Sequence, residues 1–82
     1  MSKVKDIELL NTANENNMLS IITASLISSD ALVSLDACDK AIELIKSFLE
    51  ALPETNIEEK DRWKKTFEDC LGVAERDRKN YL

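Results

Sequence analysis

Two cysteines, sixteen carboxylates and no histidine are the chemically capable side chains of this 82-residue sequence. Histidine is the commonest general base near neutral pH and the commonest metal ligand, so its absence removes both roles together. Zinc wants about four Cys or His ligands at tight spacing, and Cys38 and Cys70 are too few and too far apart. A single glycine cannot build a phosphate-cradling loop. Nothing marks two of the carboxylates as an acid–base pair, and a solvated helix face accounts for them. The doublet Glu58–Glu59 suits a helix N-terminus, where the dipole favours negative charge. No catalytic, metal-ligating or cofactor-binding residue is assigned, and the chain reads as a non-enzyme.

Both cysteines recur at apolar positions, where a thiol packs as a small hydrophobe. A small secreted disulfide scaffold carries about four to eight cysteines. The opening MSKVKDIELL mixes lysines with acids and lacks the apolar core of a signal peptide. Reduced thiols and a cytoplasmic location are therefore expected.

The elements that hold these residues are helical. One Gly and one Pro are too few for the turns of an all-β fold, while Ala, Leu, Ile, Glu and Lys supply helix formers throughout. In residues 30–52, Ala31, Leu35, Cys38, Ile42, Ile45, Leu49 and Leu52 follow each other at four- and three-residue steps. A second stripe, Ala37, Ala41, Leu44, Phe48 and Ala51, lies beside the first. An apolar arc this broad needs more than one neighbour, which puts this helix at the centre of a bundle.

Three signals set the expected boundaries. Ser28, Ser29 and Asp30 offer N-caps for the central helix. Pro53 ends it. Thr55-x-x-Glu58 has capping-box spacing for a last helix over 56–79, whose inner side carries Trp63, Phe67, Cys70, Leu71 and Ala74. Gly72 falls inside that helix and reads as a place of close approach. Upstream, Val4, Ile7 and Leu10 fit a helix, and four asparagines between Asn11 and Asn17 weaken it. The reading is a small three-helix bundle, 3–28, 30–52 and 56–79. Either the first helix runs on through 3–28, bending near Asn14–Asn17, or a break falls there; one bent helix is the favoured reading.

The window from Met18 to Leu35 tests a membrane reading. Its eight Leu, Ile and Val contribute about −2.4 to −4.8 kcal/mol to insertion, and Asp30 near its middle costs about 2.5–3.5 kcal/mol. Five serines and a threonine add to the cost. Membrane contact is expected only through a protein partner. Residues 1–56 hold four basic and nine acidic side chains, the whole net charge of −5, and would repel a phosphate backbone, so direct nucleic-acid binding is not expected.

What remains is apolar excess in the first half. Met18, Leu19, Ile22, Leu26, Ile27, Leu32 and Val33 point in more directions than three helices can cover, and are read as partner-facing. The expected function is occupancy of another protein by a small acidic accessory factor. Inhibitors, antitoxins and lysis-timing factors of phage or mobile elements are of this kind. The alternatives are a self-associating helical oligomer, an acidic nucleic-acid mimic using the 30–54 face, and an accessory of a membrane protein.

Overall fold

The computed structural model describes residues 3–28 and 30–82. It is all-α, with four helices among those residues: α1 (Lys3–Glu15), α2 (Leu19–Ile27), α3 (Leu35–Ala51) and α4 (Lys60–Arg78). Single 3-10 turns follow α3 at Leu52–Glu54 and α4 at Lys79–Tyr81. The bundle expected from the sequence is present, with four helices in place of three.

The extra break falls among the asparagines. Met18 N–H donates to the Ala13 carbonyl at 2.7 Å and Asn17 N–H to the Asn14 carbonyl at 3.2 Å. Asn17 itself is left-handed, at φ 56°. These are the paired bonds of a Schellman motif, which satisfies the last carbonyls of α1. A left-handed backbone costs most L-residues about 1–2 kcal/mol, and asparagine is among the few that adopt it readily. The continuous helix expected over 3–28 is thus two helices, separated at Asn16–Met18.

The later boundaries move as well. Ser28 begins a turn instead of a helix, its carbonyl accepting the N–H groups of Ala31 at 2.9 Å and Leu32 at 3.1 Å. Ser29, one of the expected caps, lies outside the described residues. The cap of α3 is Ser34, whose hydroxyl accepts the Ala37 N–H at 3.1 Å. At the next junction the capping box does not form. Pro53 sits in the 3-10 turn, and the Thr55 hydroxyl turns back to donate to the Leu52 carbonyl at 2.7 Å. Glu58 then lies in a turn ahead of α4.

α3 and α4 are the most extensively packed pair. They run antiparallel, with Asp39 near the start of α3 accepting from Arg78 at the end of α4 at 2.6 Å. α3 buries Cys38, Ala41, Ile45 and Phe48, the line where its two apolar stripes meet. α4 answers with Phe67, Cys70 and Ala74. The rings of Phe48 and Phe67 lie 5.8 Å apart, tilted by 53°, an arrangement that adds to their burial. Trp63 and Leu71 stay half-buried. Gly72 faces open space, with nothing within 4 Å of where a β-carbon would stand. The close approach expected there is absent.

α1 contributes Leu10 and Ala13 to the core, and α2 contributes Leu19 and Leu26. Lys3 pairs with Glu54, and the Asn11 side chain accepts the Asn56 N–H at 2.7 Å, tying α1 to the α3–α4 junction. α2 lies mainly on α4 and only lightly on α3. At the far end, the Tyr81 hydroxyl donates to the Leu32 carbonyl at 2.8 Å, so the last turn is anchored to the α2–α3 connection.

Candidate interaction surface

α2 begins at Leu19, two residues after the left-handed Asn17, and that fresh start sets which of its faces turns inward. Leu19, Thr23 and Leu26, spaced four and three apart, occupy the inward arc and are buried. Thr23 is tolerated inside because its hydroxyl donates to the Ser20 carbonyl at 3.0 Å, leaving no polar atom stranded. Ile21 lies half a turn away and is 58% exposed. A threonine thus sits in the core while an isoleucine of the same helix stands in water. No residue of α2 is charged, so nothing polar beyond serines shields that outward face.

The partner-facing residues read from the sequence separate under this geometry. Met18 and Val33 are exposed, at 44% and 62%. Ile22 and Ile27 are half-buried against the core. Leu19, Leu26 and Leu32 are core residues at 3%, 8% and 4% exposure, and offer a partner almost no surface. The break at Asn17 frees α2 to turn independently of α1, so the Leu19–Thr23–Leu26 line faces inward, while Leu32 is buried in the connection to α3. Ile21, absent from the partner-facing set, belongs with Met18 and Val33 outside. Its signal was present in the spacing, since Ile21 falls opposite the Leu19/Leu26 line once a helix is started at Leu19.

The light packing of α2 on α3 leaves an open groove between them. Leu26 and Ala41 form its floor, Ala31, Ala37 and Leu44 its walls. The trough continues along α3 past Lys40 and Glu43 to Ser47. Lys40 Nζ is held by Asp36 at 3.1 Å. Glu43 and Asp30 enter no ion pair among the described residues.

Groups able to do covalent chemistry are placed away from this surface. Cys38 and Cys70 are unpaired and buried. Burial pushes both thiols up from their ordinary pKa, and nearby Asp77 and Asp39 add to the effect at Cys38, as Asp69 does at Cys70. Nucleophilic thiolate is suppressed at both. The Cys70 Sγ donates weakly to the Thr23 carbonyl at 3.9 Å, joining α4 to α2. Among the described residues no three His, Cys, Asp or Glu side chains gather as a metal site would require. Nor is any helix among them long and apolar enough to cross a membrane.

A polar hollow lies where α1 ends and α4 begins, lined by Asn14, Asn17, Glu59 and Trp63. Arg62 closes one side, bonded to Glu59 at 3.0 Å and lying 5.3 Å from the Trp63 ring centre. The guanidinium is already committed to both neighbours.

Neither protein-family models, nor curated proteins, nor solved structures give a match to this chain.

Proposed function

We propose that this protein is a helical binding module that works by occupying another protein through the α2 side of its bundle. The observation that carries the reading is Ile21, an isoleucine more than half exposed on a helix without a single charge. Met18, just before α2, and Val33, in the connection after it, are exposed as well. Exposed apolar side chains that act as one patch mark partner surfaces, and the reading takes these three to act together. The mechanism is steric: the docked face blocks, retains or adapts its target. Two unpaired, buried thiols support work in a reducing compartment.

The test compares capture from native lysate by the unchanged chain and by Ile21→Asp and Val33→Asp. Both positions are solvent-facing, so helical circular dichroism is expected to persist in the variants. The bound protein is expected to be lost from them. Capture unaffected by either substitution would move the interface to another face.

A further inference from the structure

We infer that the C-terminal turn is a strap across the α2–α3 connection, and that strap and connection open together while the rest of the bundle stays folded. The chain beyond Ala74 adds little to the core, since none of residues 75–82 is buried. Two polar ties fasten its end to distant parts of the molecule. Arg78 Nε donates to Asp39 at 2.6 Å, 39 residues back, and the Tyr81 hydroxyl donates to the Leu32 carbonyl at 2.8 Å, 49 residues back. The side chains of the Arg78–Asp39 pair are 39% and 50% exposed, so water and salt weaken their attraction. The 3-10 turn that carries Tyr81 buries no residue of its own.

The connection is held just as sparingly. Between Leu26 and Cys38, Leu32 is the one buried residue among those described. The backbone bonds from Ala31 and Leu32 both go to the Ser28 carbonyl and close a single turn. α2 packs only lightly on α3. The Leu32 side chain therefore supplies the connection's apolar anchor, and the Tyr81 hydroxyl its polar tie to another element. Segments with few buried apolar contacts open at lower free energy than the core they border, and they do so as contiguous units. α3 and α4 are joined through Ile45, Phe48, Phe67 and Cys70, and stay closed when this end lets go. Opening turns Leu32 out beside Val33, which is already 62% exposed. The strap thereby sets how much apolar side chain this end of the bundle shows, whichever face meets a partner.

Hydrogen exchange followed residue by residue by NMR on the intact chain tests this with two surface substitutions. Tyr81→Phe keeps the ring and deletes one hydrogen bond. It should speed exchange at the Ala31 and Leu32 amides about fivefold, the effect of losing one net hydrogen bond. Arg78→Gln breaks the other tie, which lands on α3 and touches neither Leu32 nor Ser28. It should speed the same two amides about twofold, in keeping with the loss of an exposed ion pair. The amides of Ile45, Phe48 and Phe67 should exchange as in the parent under both substitutions. Unchanged exchange at Ala31 and Leu32 in either variant overturns the inference, because the two ties would then not open as one. A matching rise at Ile45, Phe48 and Phe67 overturns it as well, since the ties would then hold the bundle as a whole.

Discussion

The α3–α4 pair and the α2 segment are built from similar apolar residues, yet they treat water differently. The large apolar side chains that are exposed, among them Val4, Leu9, Met18, Ile21 and Val33, all lie outside α3 and α4. In α3 the charged residues Asp36, Asp39, Lys40, Glu43, Lys46 and Glu50 occupy the outer arc and leave the apolar stripes to point inward. In α2 no charge marks an outside. The segment buries the best line it has, Leu19–Thr23–Leu26, and the surplus isoleucine is left facing solvent. Charge placement, more than apolar content, distinguishes α3, whose outer arc is finished for water, from α2, which leaves an isoleucine in it.

Breaking the finished pair should have the largest effect. Phe67→Ala removes a fully buried ring packed on Phe48 and should destabilise by about 3–5 kcal/mol in urea titration. In a domain this small that approaches the whole margin. Asn17 comes next. Its positive φ ends α1, so Asn17→Ala should cost about 1 kcal/mol while Asn17→Gly is neutral or slightly favourable. Equal losses for both would show that the asparagine side chain, and not its backbone, makes the break. Gly72→Ala tests α4 from the opposite direction. With open space around that position, the substitution should raise the urea midpoint by an amount worth about 0.5–1 kcal/mol. The smallest stability effect is expected where the functional effect is expected to be greatest. Ile21→Asp should stay within about 0.5 kcal/mol of the parent in the same titration, because its side chain already stands largely in water. A loss of several kcal/mol there would mean that Ile21 is packed, and would erase the contrast between the two regions.

The α3 stripes could be read without coordinates because a seventeen-residue helix repeats its pattern often enough to define a face. Phe67, Cys70 and Ala74 in α4 were legible for the same reason. The N-terminal third was not, since four closely spaced asparagines serve equally as a polar patch, a cap or a stop. A pair of backbone bonds to Ala13 and Asn14 decides among these, and such bonds leave no periodic trace. Capping signals were ambiguous through abundance: Ser28, Ser29 and Asp30 all precede Ser34, the residue that caps. At Thr55 a good local motif lost to its context, because the turn at Pro53 drew the hydroxyl back to Leu52. The candidate surface inherited these errors. Within α2, Ile21 lies opposite the buried Leu19–Leu26 line by helical phase, whereas the burial of Leu32, in the connection to α3, has no periodic signal.

The central claim is that the uncharged α2 side, and not the charged outer face of α4, meets the partner. Amide hydrogen exchange on the chain alone and bound to its captured partner tests this most directly. The account predicts added protection in Leu19–Ile27 and along the first half of α3, with the outer face of α4 exchanging as before. Protection confined to α4, with α2 exchanging as fast as in the free chain, would contradict it.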